Sequence, residues 1–174
     1  MYYDFFHKKR GLAEREENGL VIEKSDEMEI VAIQQGHLLW NKIITFAEKC
    51  SWKAGAYLAS KMQQNEFKDW ERVIVATEGN LIAGYCTLTE KDELAEKYFF
   101  SPFIGFVFVD EKFRGHRVSE KMIECACNHA KELGYSRIYI MSGEQGLYEK
   151  YGFRKVGDYK TLYGTTEQLF SKEL

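Results

Sequence analysis

A strand, a turn and a helix follow one another over residues 103–122 in a pattern suited to binding phosphate. Ile104–Val109 is apolar at consecutive positions, which predicts a central strand covered on both faces. Arg114 and Gly115 form the turn, and the helix predicted from Val118 would direct its unpaired N–H groups and positive dipole end toward it. A glycine lets backbone donors approach a ligand closely. The pattern predicts a pyrophosphate site, and an ordinary surface connection is the alternative from this turn alone.

A second segment, L-Y-E-K-Y-G-F over residues 147–153, predicts a short helix ended by Gly152. At this spacing the two segments together resemble the GCN5-related N-acetyltransferase (GNAT) family. Its motifs are R/Q-x-x-G-x-G/A on a strand-to-helix turn and Y-x-x-x-G-F on a short helix. The second motif is matched completely by Tyr148, Gly152 and Phe153. In the first motif Arg114 matches, whereas Arg117 stands where glycine is usual and Ser119 where glycine or alanine is usual.

The resemblance implies acetyl-CoA as a co-substrate. Its pantetheine arm is expected along Val107, Phe108 and Val109, and its pyrophosphate on the turn, which comprises Arg114, Gly115, His116, Arg117, Val118 and Ser119. The arginine at position 117 either obstructs a position built for glycine or points outward and adds a charge-assisted contact to a phosphate. We expect the outward orientation.

By the same resemblance, Tyr148 is the catalytic residue. A phenol with a pKa near 10 can protonate a departing thiolate, and the alternative is that Tyr148 is a packing aromatic. The cofactor strand contains no ionisable residue, so no general base is assigned. Glu144, Glu90 and Asp110 are candidates for the end of a water chain. His129 is interpreted as a core histidine, because the helix after the turn is predicted to bury Val118, Met122, Cys125, Ala126, His129 and Leu133.

The chain of 174 residues is long enough to bury the core of one domain. Residues 1–19 are interpreted as an N-terminal extension without an assigned structure, and residues 20–174 as the acetyltransferase domain. The predicted class is α/β, a mixed and mostly antiparallel central sheet flanked by helices. The predicted elements are a strand at Leu20–Glu23, a helix from Ser25 through Ala47, a helix at Ala56–Gln63, strands at Arg72–Thr77 and Leu81–Thr89, a helix from Val118 to Leu133 ended by Gly134, and strands at Arg137–Met141, Phe153–Tyr159 and, more weakly, Gln168–Ser171.

Charge and composition narrow the classes of partner. The 24 basic and 27 acidic side chains give a formal charge of −3, which argues against nucleic acid and anionic membranes. No run of eighteen apolar residues and no signal-peptide pattern occurs, so we expect a cytosolic protein. The four cysteines form no C-x-x-C pair and the four histidines are dispersed, which predicts reduced thiols and no metal site.

The expected function is therefore direct transfer of an acetyl group from acetyl-CoA to a primary amine of a small molecule or peptide. The alternative is a non-catalytic acyl-CoA-binding or sensing domain of the same fold. By the resemblance, acceptor choice depends on residues 36–67 and 158–167. These segments carry the aromatic residues Trp40, Trp52, Tyr57, Tyr159 and Tyr163, which either face a cationic amine or pack in the core. The sequence leaves the acceptor and dimerisation open.

Overall fold

The computed structural model describes residues 27–95 and 97–174. The predicted strand Leu20–Glu23 and the boundary between residues 19 and 20 lie outside these ranges. The described strands are β1 (Met28–Ile33), β2 (Arg72–Glu78), β3 (Leu81–Thr89), β4 (Phe103–Val109), β5 (Arg137–Ser142), β6 (Arg154–Lys160) and β7 (Thr166–Glu173). The α-helices are α1 (Trp40–Lys49), α2 (Ala54–Gln63) and α3 (Val118–Glu132), and short 3-10 helices span Glu111–Phe113 and Tyr148–Tyr151.

The strands form one sheet in the order β1-β2-β3-β4-β5-β7-β6. Every neighbouring pair is antiparallel except β4 and β5, which are parallel because α3 connects them as a crossover helix. The predicted α/β class with a mixed, mostly antiparallel sheet is confirmed. The predicted weak strand near Gln168 is instead the interior strand β7, which pairs with β5 on one side and β6 on the other.

Helices cover both faces of the sheet. On one face, α3 packs Val118, Met122 and Ala126 against β2, β3 and β4. On the other face, α1 and α2 bury Ile43 and Leu58 against the opposite side of the same strands. Because side chains alternate along a strand, the apolar runs of β2 and β4 supply both cores at once. In the described residues, no helix is long and apolar enough to cross a membrane.

The predicted helix from Ser25 through Ala47 is wrong in its first half. Met28–Ile33 is strand β1, and α1 begins only at Trp40. The apolar residues at positions 30 and 33 fit a helical spacing by coincidence. In the structure Ile30 packs with the α3 core and Ile33 with the α1 core, so the segment has the two-residue period of a strand. Its pairing with β2 is a tertiary contact that no local pattern contains.

Helix α3 is also rotated relative to the prediction. Leu133, which was expected in the core, is 42% exposed, and Cys125 and His129 are only partly buried. The buried positions instead include Ile123, Cys127 and Ala130, which continue the stripe from Val118 and Met122. Helix α3 ends at Glu132, and Gly134 follows with φ +90°, as predicted for a helix terminator.

Candidate functional site

A large cavity lies where strands β4 and β5 separate. Among residues 27–95 and 97–174 they pair only at Phe103 and Tyr139, and beyond this point the edge of β4 that faces β5 has no strand partner there. Its backbone N–H and C=O groups therefore face open space, where a ligand can take the place of a neighbouring strand. The cavity has a volume of about 1100 Å³ and is lined by most of β4, the end of β5, the α1–α2 connection and Tyr148.

A bulge in β4 shapes the wall of this cavity. The register against β3 shifts between Tyr85 and Thr87, and Phe106 has φ +49°, a conformation that bulky residues rarely adopt. Gly105 precedes the bulge and lines the cavity. A Cβ at Gly105 would lie 3.2 Å from Asp92 Oδ2 and 3.3 Å from Thr87 Oγ1, so glycine leaves room for both side chains.

The turn after β4 exposes the N-terminus of α3. Gly115 has φ +83° and Arg117, the N-cap residue, has φ +58° and ψ +27°. A Cβ at Gly115 would meet no atom of the described residues within 4 Å, so its positive φ is the structural requirement for glycine. Left-handed residues in a turn aim successive backbone N–H groups toward one side. Together with the first turn of α3, they form a concentration of donors suited to an anion.

The predicted coenzyme residues divide into two groups. Val107, Phe108, Val109, Arg114 and Ser119 line the cavity, whereas Gly115, His116, Arg117 and Val118 do not. Val118 is a core residue, and His116 is exposed. The side chain of Arg117 is 79% exposed and its Nε lies 2.7 Å from Glu120 Oε2.

Arg114 is held at the end of β4. Its Nε donates to the Val109 carbonyl oxygen at 3.2 Å, and its Nη2 lies 3.0 Å from Glu111 Oε1. The same Glu111 oxygen accepts a hydrogen bond from Ser51 Oγ, which ties the α1–α2 connection to this turn. Hydrogen bonding from Ser51 and the nearby Arg114 lower the pKa of Glu111. The guanidinium is thus positioned beside the cavity with donors left for a ligand.

Tyr148 lies opposite β4 and is 5% exposed. Its ring packs against Phe170 and Phe153, with centroids 5.7 and 6.3 Å away. Burial raises the pKa of Tyr148 to about 12, and hydrogen bonding to Ser142 opposes part of this rise. The phenol therefore keeps its proton at neutral pH. Nearby Tyr151 has a different contact, since its Oη lies 2.9 Å from Ser119 Oγ.

Three carboxylates at the other end of the cavity were missed from sequence. Asp92 and Glu93 belong to the β3–β4 connection, and Glu167 belongs to β7. Burial and the nearby Glu93 raise the pKa of Asp92 to about 7, although part of the residue remains in contact with solvent. Burial and Glu167 also raise the pKa of Glu93. The sequence shows only a cluster of acidic residues before the apolar strand, and such clusters are common in surface loops.

The three candidates for the end of a water chain lie in different places. Glu144 lines the cavity near Tyr148. Glu90 pairs with Lys68 at 2.5 Å, and Asp110 accepts a hydrogen bond from the Lys112 N–H at 3.0 Å. Neither Glu90 nor Asp110 lines the cavity. Across the described ranges, no group of three or more His, Cys, Asp or Glu side chains is arranged to hold a metal ion.

Comparison with known proteins identifies the family. Residues 69–155, half of the chain, match the family model described as acetyltransferase (GNAT) domain. The chain belongs to the GNAT acetyltransferase family. The matched residues include β4, the turn, α3 and Tyr148, so the GNAT match covers the cavity wall and the N-terminus of α3. No curated protein matches the sequence.

Solved structures show the same GNAT fold. A GNAT family acetyltransferase from Elizabethkingia anophelis with acetyl-CoA bound is 19% identical, with a TM-score of 0.58 over 86% of this chain and 100% of its own. An aminoglycoside 6'-N-acetyltransferase complexed with coenzyme A is 11% identical, with a TM-score of 0.63 over 83% and 96%. A spermidine/spermine N-acetyltransferase from Vibrio cholerae is 15% identical, with a TM-score of 0.57 over 84% and 92%. At these identities the likeness concerns the fold.

Proposed function

We propose that this GNAT chain is an acetyl-CoA-dependent N-acetyltransferase that transfers the acetyl group directly to a primary amine. The observation that carries the proposal is the opening between β4 and β5, which joins an unpaired strand edge to the exposed N-terminus of α3. Amide groups of a pantetheine arm can pair with such an edge, and a pyrophosphate suits the helix N-terminus. Two of the solved GNAT structures of this fold hold acetyl-CoA or coenzyme A.

The residues present fit this coenzyme. Val107, Phe108 and Val109 would hold the pantetheine arm, and the cavity volume of about 1100 Å³ is large enough for a substantial part of the ligand. Arg114 and the backbone N–H groups from Gly115 to Ser119 would hold the pyrophosphate. Acetyl-CoA, when bound, supplies the thioester from which the acetyl group is taken.

The chain's own groups provide acid and electrostatic assistance. Backbone N–H groups of β4 around Phe108 can donate to a carbonyl oxygen as negative charge develops on it. Tyr148 holds a proton at neutral pH because burial raises its pKa to about 12, and its side chain lines the cavity. A departing thiolate in the cavity can accept that proton. The acceptor is proposed to enter from the carboxylate-lined end.

The test combines ligand binding with turnover. Acetyl-CoA at about a hundred times its dissociation constant should add about 2.7 kcal/mol of stability, or roughly 5 to 11 °C in Tm for a domain of this size. ATP, which lacks the pantetheine arm, is the control and should shift the Tm much less. A thiol-release assay with acetyl-CoA and a panel of primary amines then measures transfer.

The outcomes separate the candidate functions. Equal Tm shifts from acetyl-CoA and ATP, or no shift from acetyl-CoA, would reject the coenzyme site. A large acetyl-CoA shift without thiol release from any amine would favour the second candidate, a non-catalytic acyl-CoA-binding or sensing domain. The observation in favour of that candidate is Arg117, which occupies a left-handed backbone position where the family motif has glycine.

A further inference from the structure

We propose that Asp92, Glu93 and Glu167 form the acceptor site, that this site selects an aliphatic amine with at least two positive charges, and that Asp92 takes the proton from the reacting ammonium group. The inference rests on the proposed acetyl transfer and adds to it the substrate class and the general base. We call these three residues the acidic wall.

Tertiary contacts assemble the acidic wall from separate segments. The Leu162 N–H donates to the Glu93 carbonyl oxygen at 2.7 Å, and Leu94 forms an isolated bridge with Thr161. These bonds fasten the β3–β4 connection to the β6–β7 connection. They bring Asp92 and Glu93 to the end of the cavity that Glu167 reaches from β7. The wall is therefore part of the folded framework and does not depend on a free loop.

In the part of the chain that the structure describes, the acidic wall lacks a matching set of positive charges. None of its three carboxylates forms an ion pair with a lysine or arginine within residues 27–95 and 97–174. Asp92 faces Glu93 on its own segment and Glu167 on β7, while Lys61 on α2 provides partial compensation. Like charges in a partly buried site repel one another, so a ligand with two positive charges relieves more of this repulsion than a ligand with one.

A buried hydroxyl beside Asp92 also points to a ligand. Thr87 is 1% exposed, and its Oγ1 has no hydrogen-bond partner in the described structure. Both Thr87 Oγ1 and Asp92 Oδ2 lie within 3.3 Å of the position that a Cβ of Gly105 would occupy. Buried hydroxyls normally have a partner. An ammonium group in the cavity beside Gly105 can donate to Asp92 Oδ2, and a small movement of the Thr87 side chain would bring its hydroxyl within reach of the same group and supply the missing bond.

Aromatic rings complete the surroundings of the acidic wall. The bulge at Phe106 places its ring 6.2 Å from that of Trp52 and 5.9 Å from that of Tyr57, measured between centroids. Tyr163, from the β6–β7 connection, lies beside Tyr57, Glu93 and Asp92, and desolvation together with these neighbours raises its pKa. Aromatic faces near carboxylates favour organic cations. Aliphatic amines with two charged ends fit this combination.

The proton transfer is balanced by groups in the cavity. Asp92 as carboxylate takes one proton from the ammonium group, which leaves a neutral amine with a free electron pair. The amine nitrogen then forms a C–N bond to the acetyl carbon as the C–S bond breaks, and Tyr148 donates its proton to the departing sulfur. The nitrogen loses a second proton, which restores the Tyr148 phenol through water. Asp92 releases its proton to solvent.

The test compares matched acceptors at saturating acetyl-CoA. We expect kcat/KM for 1,4-diaminobutane to exceed that for 4-amino-1-butanol, which has the same length and one charge fewer, by about tenfold or more. Glu167→Gln should remove most of this preference, because it removes one of the negative charges that the second ammonium group meets. Glu124→Gln, which removes an exposed carboxylate on α3, should leave the preference unchanged. Equal rates with both acceptors, or a preference that survives in Glu167→Gln, would overturn the substrate class.

Asp92→Asn tests the base separately. Its kcat should fall by about a hundredfold with both acceptors. We expect the kcat of the parent to fall below neutral pH as Asp92 becomes protonated, and this dependence should disappear in Asp92→Asn. A parent-like kcat and pH profile in Asp92→Asn would reject its role as base.

Titration calorimetry distinguishes this inference from the proposed function. Binding of 1,4-diaminobutane is measured with the free protein and with protein mixed with excess coenzyme A, so the result does not depend on turnover. Binding that weakens about fivefold or more in Glu167→Gln supports the acidic wall as a dication site. No binding in either titration would overturn it, whatever the thiol assay shows. Absence of acetyl-CoA binding with intact diamine binding would instead reject the proposed function and the role of Asp92 as base, and would leave the acidic wall as a dication site.

Discussion

Replacing Asp92 by asparagine should stabilise the protein at alkaline pH. In the unfolded state the Asp92 carboxyl ionises near its ordinary pKa of 3.8, and burial beside Glu93 raises its pKa in the folded state to about 7. Between these values the folded state binds a proton that the unfolded state does not, so stability falls as pH rises. Above pH 7 the folded protein carries the full cost of an ionised Asp92. Asparagine has a similar shape and no charge to bury.

The magnitude follows from the shift in pKa. At about 1.36 kcal/mol per unit, the change from 3.8 to about 7 sets an upper limit of about 4 kcal/mol. Asp92 retains some solvent contact, which reduces the penalty, so we expect Asp92→Asn to be more stable than the parent by about 2 to 4 kcal/mol at pH 8. The difference in stability between Asp92→Asn and the parent should be smaller at pH 5 than at pH 8 by about 1 to 3 kcal/mol. At pH 5 Asp92 is protonated in the folded state, which removes most of the cost of burying its charge.

Urea unfolding followed by tryptophan fluorescence from pH 5 to pH 8.5 measures this difference directly. Asp69→Asn is the matched control, since Asp69 is exposed and lies outside the cavity, and its difference from the parent should not vary with pH in this way. A constant difference for Asp92→Asn across the range, or a less stable Asp92→Asn variant at pH 8, would refute the reasoning that Asp92 is held in a poorly solvated, anionic environment. Neither measurement requires a substrate.

Further predictions concern Tyr148 and the turn before α3. Tyr148→Phe should lower kcat by about a hundredfold with little change in acetyl-CoA affinity, because a general acid acts only as the thiolate leaves. Tyr151→Phe is the control. It removes the hydroxyl bonded to Ser119, so it should leave kcat intact and weaken acetyl-CoA binding only a few fold. A parent-like kcat in both variants would show that Tyr148 is a packing residue. Arg117→Gly should raise the free energy of unfolding by about 1 kcal/mol relative to Arg117→Ala, since both variants lose the Glu120 ion pair but only glycine relaxes the positive φ. Titration calorimetry with acetyl-CoA on the same variants tests whether the Arg117 side chain contacts a phosphate of the coenzyme. Weaker binding by Arg117→Ala than by the parent at low salt supports this contact. Tighter binding by Arg117→Gly than by the parent rejects it.

Local patterns in the sequence were sufficient to predict much of the fold. The β2–β3 hairpin, the apolar strand β4, the helix after Arg114 and the stops at Gly134 and Gly152 depend on interactions between near neighbours in the chain. The motif around Tyr148 predicted the family, which the family comparison confirmed. These features can be predicted from sequence because the spacing of apolar residues, the residue preferences of turns and the signals that end helices each depend on only a few neighbouring residues.

Contacts between distant segments decided the rest. Strand β1 forms because residues 28–33 pair with β2, and β7 occupies the sheet interior because β5 and β6 both bond to it. The acidic wall depends on the same kind of contact, since Glu167 follows Asp92 by many residues and only the fold brings them to one cavity. The position of an Asp or Glu in the sequence does not indicate which charged residues will lie beside it in the folded protein. The raised pKa of Asp92 is a property of the assembled cavity, because burial and nearby charge, not residue type, determine the free energy of ionisation.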